Sequence, residues 1–321
     1  MPMKLTMKEP YSKARVLSPR IRGYIDLLRP FTLLAPLFVS LFIMFASLVY
    51  NNHYYQGVDW WRTFITMAQA SLTLALVNAA SNALNQSTDV DADKISKPYR
   101  PIPRGVVAAD EARSIALILY LFVLLRAATM NLWFGVFVFL IMFFTITYSL
   151  PPRMKRYLFV NQVWIAIPRG LLGVLAAWSV FGDPFQKEPV IFGLTAMVFF
   201  MGAMATKDIV DEVADRMTGT RTLINTYGVE KTAYIALPFM VIPFATIPLL
   251  VYNGFLESYM YPLTFFIVPS FFVFYLILRH DESKSLENVH AWVLMYLEYL
   301  ALAVCFSLLV ILGELRILNL F

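Results

Sequence analysis

An all-α, polytopic membrane protein is the fold class this sequence predicts, and three observations carry that reading. Of 321 residues, 59% are hydrophobic and only 15% charged, with a mean hydropathy of +0.65; no water-facing surface of ordinary composition allows that balance. Nine runs are long enough for a helix rising about 1.5 Å per residue to cross a hydrocarbon core of about 30 Å, and none shows the period-two alternation of a barrel strand. Basic residues, finally, gather on one side of those runs.

The spans are placed at 31–50, 64–85, 113–131, 132–150, 159–182, 189–207, 232–252, 259–278 and 291–313. The first follows a basic segment, 1–30, whose Lys and Arg suit anionic headgroups. It is read as a membrane helix and not a signal peptide, because its apolar stretch fills a bilayer and no small-residue cleavage pattern follows. The third and fourth nearly fuse around Arg126 to Asn131. The fifth carries Arg169 and the ninth Glu298, two charges inside apolar surroundings. For Arg169 the sequence leaves two readings open, snorkelling to the near interface or meeting a diphosphate or acidic acceptor. Glu298 reads as a hydrogen-bonding group inside the bundle.

Residues 1–30, 86–113, 151–158, 207–231 and 279–290 hold 21 of the 26 Lys and Arg. By the positive-inside rule these segments and the N-terminus are cytoplasmic. The net charge of +5 is therefore a topological feature, and no nucleic-acid partner is expected. The organisation is a basic segment (1–30) and one transmembrane domain (31–321) with cytoplasmic cap loops at 86–112 and 208–231. Cys305 excludes an intramolecular disulfide, and the histidines at 53, 280 and 290 are too scattered for a His-only metal site. A metal must sit on carboxylates.

Two acidic clusters lie on the basic side. Asn85, Asp89 and Asp93 recur every four residues beyond span 2, so a continued helix would set them in one stripe while Asp91 points elsewhere. Asp208, Asp211 and Asp215 share a face at the end of span 6, with Glu212 beside them. Carboxylates so crowded repel one another and demand counter-charge, from a hard cation or from Lys and Arg. Tyr148, Ser149, Arg153, Lys155 and Arg156 surround Pro151-Pro152 at the mouth of span 4, and Lys94, Lys97, Arg100 and Arg104 follow the first cluster. These hydroxyls and cations suit a diphosphate, and Mg²⁺ would join it to the carboxylates. A transporter or channel is the competing class, although its ligands would be expected near the midplane.

The motifs Asn85-x₃-Asp89-x₃-Asp93, Lys97-Pro98-x-Arg100-Pro101-x-Pro103-x-Gly105, Tyr148-Ser149-x-Pro151-Pro152 and Asp208-x₂-Asp211-x₃-Asp215-Arg216-x₂-Gly219-x-Arg221-Thr222-Leu223 resemble the UbiA superfamily of intramembrane prenyltransferases. The resemblance implies nine helices around a central cavity capped by the loops after spans 2 and 6. It also implies Mg²⁺-dependent transfer of a polyprenyl group, such as that of geranylgeranyl diphosphate, to an aromatic or lipid acceptor within the membrane. Carried over residue by residue, Asn85, Asp89 and Asp93 would serve one Mg²⁺, and Asp211 and Asp215, with Asp208 adjacent, a second. Lys155, Arg153 and Tyr148 would hold the diphosphate, with Arg100 and Lys207 as further candidates. Gln86 and Ala214 depart from the Asp and Gly common in the family at those positions, without removing a ligand.

Overall fold

The computed structural model describes residues 18–52, 58–279 and 289–317. Most of the basic segment 1–30, His53, His280 and nearly all of the connection 279–290 lie outside the described residues.

Twelve helical elements follow in order: α1 (Pro19–Leu28), α2 (Pro30–Tyr50), α3 (Trp60–Thr88), α4 (Val90–Ser96), α5 (Ala109–Ala128), α6 (Leu132–Ser149), α7 (Val160–Trp178), α8 (Lys187–Asp208), α9 (Glu212–Met217), α10 (Leu223–Tyr252), α11 (Ser258–Leu278) and α12 (His290–Glu314). Their ends are written in the sequence. Asp59 Oδ1 accepts from Arg62 N at 3.0 Å to start α3, and Asn131 Oδ1 accepts from Phe134 N at 2.8 Å to start α6. Thr222 and Asn225 cap α10 reciprocally. These side chains satisfy amide groups that a helix start leaves without partners.

Eight of the described helices are long and apolar enough to cross a membrane. This is an integral, multi-pass membrane protein. The third expected span, 113–131, is the one not among these eight; it corresponds to α5, which has 20 residues but carries Asp110, Glu111 and Arg113 near one end and Arg126 near the other. The span expected at 232–252 begins earlier, at Leu223, because Gly228 (φ 79°) breaks α10 and lets a short leading piece belong to the cap.

Helices α2, α3, α6, α7, α8, α10, α11 and α12 pack in sequence as a closed ring, α12 returning to α2, while α5 lies outside against α3 and α6. Lipid offers no hydrophobic drive to hold helices together, so close approach depends on small residues. At Gly170 of α7 an added Cβ would lie 2.4 Å from the backbone of Met197, and at Gly202 of α8 it would lie 2.4 Å from Ala236 O. Gly173 has only Pro168 O of its own helix within reach, so of the Gly170-x₂-Gly173 pair just the first makes the contact. Within α7 the turn Ile167–Leu172 is π-helical, and Gly173 N donates to Pro168 O across it.

Inside the ring α2, α3, α6, α7, α8 and α12 surround a cavity of about 620 Å³, whereas no residue of α5, α10 or α11 reaches it. Glu298 is buried away from the cavity, where Ser270 Oγ donates to its Oε1 at 2.7 Å. That matches a structural hydrogen-bonding role.

Candidate active site

The first motif is not a continuous stripe. Helix α3 stops at Thr88, Asp89 takes φ −108° and ψ 23°, and α4 restarts at Val90. The break keeps the spacing useful, because Asp89 N still bonds Asn85 O and Asp93 N bonds Asp89 O. Asn85 Nδ2 donates to Asp89 Oδ2 at 2.8 Å. Arg153 Nη2 donates to Asp89 Oδ1 and to Thr88 O, each at 2.9 Å, and Lys155 Nζ meets the same Oδ1. Asp93 is buried and takes Arg100 Nη1 on both oxygens at 2.9 Å. Asp91 is exposed and pairs with Lys94, yet it too borders the cavity, so it does not point wholly away as a continuous helix would have it.

The second motif is also interrupted. Asp208 ends a 3₁₀ turn (Met204–Asp208), Asp211 lies in the bend after it, and Asp215 belongs to α9. Asp208 is paired with its neighbour Lys207, and Asp211 with Lys97 from the loop after α4. Lys97 thereby ties the first motif's loop to the second motif across 114 positions of sequence. Lys155 has Asp89 and Asp215 as its acidic neighbours, and Tyr148 has Asp89, Asp208 and Asp215 around it. Both carboxylate patches thus line one cavity, together with Asn85, Lys97, Arg100, Tyr148, Arg153, Lys155 and Lys207.

Electrostatics differ along this wall. Burial pushes the Asp93 carboxyl up against the pull of Arg100. Burial works the same way on Asp211, but Lys97 outweighs it and holds the group below the usual carboxylate range. Lys155 is pushed down by burial in spite of Asp89. Asp215 is pushed up to about 8, first by burial and then by Asp208 and Asp211. Each cause follows from placing charge in a poorly solvated site.

One expectation needs correction. Ser149 does not line the cavity: it is buried in the wall with its hydroxyl unpartnered, because adjacent helical positions diverge by about 100° and Tyr148 takes the inward direction. Of the two readings open for Arg169, the structure agrees with the inward one, since the residue lines the cavity. The metal candidates line one cavity, but among the described residues no three of the Asp, Glu, His and Cys side chains form a cluster able to hold an ion unaided. The carboxylates that would form it, Asp215 apart, are compensated by Lys and Arg, one of the two solutions the crowding demanded.

The donor set nevertheless suits a hard cation. All six candidates, Asn85, Asp89, Asp93, Asp208, Asp211 and Asp215, offer oxygen, and Asp208 Oδ2 is buried without a hydrogen-bond partner. Sequence reading missed Asn161 and Gln162 at the start of α7, whose buried amides leave atoms unpaired beside this region. Their signal was available, since amides at the edge of an apolar span are rarely idle. Gln86 proves structural: its Nε2 donates to Leu27 O at 2.7 Å and braces α3 against α1.

Comparison with known proteins places these observations in context. A family model described as the UbiA prenyltransferase family matches residues 40–297. A digeranylgeranylglyceryl phosphate synthase of Sulfurisphaera tokodaii is 24% identical over 76% of this chain and 86% of its own. A homogentisate solanesyltransferase of Arabidopsis thaliana is 30% identical over 65% of this chain and 55% of its own, so the match spans little more than half of that protein. Among solved structures, a UbiA homologue of Archaeoglobus fulgidus bound to GPP and Mg²⁺ superimposes with a TM-score of 0.64 at 18% identity, covering 90% of this chain and 99% of that one. At that identity the likeness establishes the fold.

Proposed function

Because the chain belongs to the UbiA prenyltransferase family and so transfers a prenyl group from its diphosphate, we propose that the cavity between Asp89 and Asp215 is where the diphosphate is released. The observation that carries the reading is the one cavity lined by both motifs, in which Lys97 joins Asp211 and Lys155 meets Asp89 with Asp215 nearby. The membership also sets aside the transporter and channel reading.

In this proposal Asn85, Asp89 and Asp93 would hold one Mg²⁺, and Asp208, Asp211 and Asp215 a second. Bound there, the ions would supply Lewis-acid stabilisation of the charge that grows on the departing diphosphate. The chain's own cations supply the remainder. Arg153 and Lys155 exchange part of their hold on Asp89 for the diphosphate oxygens, Lys207 and Arg100 add positive potential, and Tyr148 offers a hydroxyl. Such preorganised donors act strongly in a dry site, because little water competes with them. The deeper wall, with Val39, Leu74, Phe144 and Trp164, accepts an isoprenoid chain and keeps water from the allylic carbon.

Residues 31–321 act as one transmembrane domain whose cap loops, 86–112 and 208–231, meet through Lys97 and Asp211 and open on the cytoplasmic side. Donor and acceptor are a polyprenyl diphosphate such as geranylgeranyl diphosphate and an aromatic or lipid molecule; the relatives' names, which mention homogentisate and digeranylgeranylglyceryl phosphate, support that range. Incubating detergent-solubilised protein with Mg²⁺, radiolabelled geranylgeranyl diphosphate and a panel of both acceptor types tests the reading. Prenylated product and Mg²⁺-dependent diphosphate release are the expected result. Neither appearing with any acceptor would overturn it.

A further inference from the structure

The cations on the cavity wall are not equivalent. Arg153 and Lys155 share Asp89, Lys97 meets Asp211, Arg100 holds Asp93 and Lys207 lies on Asp208. Arg169 lines the same cavity, yet among the described residues no carboxylate pairs with it. The hydroxyl-bearing side chains near it are those of Tyr148, Tyr296 and Tyr299. Two of these are committed to backbone: Tyr299 donates to Arg169 O at 3.1 Å, and Tyr296 donates to Phe31 O at 3.0 Å while accepting from Ala35 N at 2.7 Å. The guanidinium therefore presents its N–H fork to the cavity.

This orientation is built in. Gly170 is pressed against the backbone of Met197, which fixes the rotation of α7. The π-helical turn at Ile167–Leu172 resets the face that position 169 presents. Arg169 lies about 13 Å of helix rise from the start of α7, farther into the bundle than Lys155. Tyr148 is near both regions, with Asp89, Asp208 and Asp215 among its neighbours and Arg169 also close to it. A charge within a spanning helix is costly unless something answers it, and a planar fork of donors answers a carboxylate or phosphate best.

We propose that Arg169 is the anchor for an oxyanion carried by the acceptor, a carboxylate or a phosphate, holding the acceptor's nucleophilic atom between itself and the diphosphate end of the cavity. The inference rests on the prenyl-transfer reading above. In that reaction the prenyl carbon–oxygen bond breaks with its electron pair leaving on diphosphate. The acceptor supplies the pair for the new bond and releases one proton. Arg169 makes no bond; it sets which acceptors are held.

Binding measured through the fluorescence of the cavity tryptophans, Trp164 and Trp292, tests this without requiring turnover. The probes are homogentisate against its methyl ester and geranylgeranylglyceryl phosphate against its dephosphorylated alcohol. The unaltered protein is expected to prefer the anionic member of one pair by about 10- to 100-fold. Which pair shows the preference separates a carboxylate from a phosphate. Arg169→Gln should bring both members within about threefold, Arg169→Lys should fall between, and affinity for geranylgeranyl diphosphate should stay unchanged in both variants, which also reports folding. Equal binding of acid and neutral member by the unaltered protein in both pairs would overturn the proposal. So would a preference retained in Arg169→Gln, or a parallel loss of donor affinity, which would assign Arg169 to the diphosphate instead. Failure of the prenyl-transfer reading would look different, as absent donor binding in the unaltered protein.

Discussion

The two carboxylate motifs line one cavity but are differently prepared. In the first, Asp89 is held by Arg153, Lys155 and Asn85, and Asp93 is held by Arg100. In the second, Asp211 depends on Lys97 from the other motif's loop, and Asp208 on its own neighbour Lys207. Asp215 has no ion pair among the described residues and is pushed up to about 8. Both arms borrow cations from other loops, but the first is fully charge-balanced and the second only in part. The difference teaches that similar acidic spacing does not make equivalent sites: the second arm is where added positive charge has most to gain.

Removing the anchor of the balanced arm should break the comparison most severely. Asp89→Ala frees Arg153 and Lys155 from their common partner and removes a candidate metal oxygen; kcat should fall about 10³-fold or more in the radiolabel assay. Lys155→Ala should lower kcat by about 10²-fold with a smaller change in donor KM, since its donor is positioned for charge that develops in the transition state. A fall in kcat of less than about tenfold would remove Lys155 from the diphosphate.

The partly balanced arm carries its own signature in pH. Below about 8 Asp215 holds a proton that a divalent cation must displace, so apparent Mg²⁺ affinity should weaken as pH falls from 8.5 to 6.5, by up to about tenfold per unit. Above about 8 the group is already ionised and the dependence should flatten. Half-saturating Mg²⁺ for diphosphate release, measured across that range, gives the slope. Asp215→Asn should remove the slope, and a slope retained there would place the titration elsewhere. Lys97→Met sharpens the link between arms: it should raise donor KM by about tenfold by loosening the cap, and raising Mg²⁺ should only partly restore it. The smallest effect belongs to Ser149→Ala, whose hydroxyl faces the wall; activity should stay within about twofold.

The sequence made the architecture readable because crossing a bilayer enforces a length and an apolarity that few other demands imitate. Positions and order of the spans follow from it, except at α5, whose end charges blur the signal, and at α10, where Gly228 hides an early helical start. The site was legible at the level of residue type and spacing: Asp89, Asp93, Asp208, Asp211 and Asp215 share a cavity. What spacing could not reveal was partnership. Lys97 and Asp211 are linked only by the folding of two loops onto each other, and the direction of Arg169 depends on a wide turn at Pro168 and on Gly170 meeting a different helix. Ser149 shows the converse, since a motif neighbour need not share its neighbour's face.

The return of α12 to α2 has a consequence for biosynthesis. Tyr296 accepts from Ala35 N and donates to Phe31 O, so the first long helix finds part of its hydrogen bonding only in α12. A chain still leaving the ribosome therefore carries both acidic motifs before α12 is available to pack against α2 and complete the ring. Turnover should begin only once α12 has docked, because until then the cavity stands open to lipid on that side.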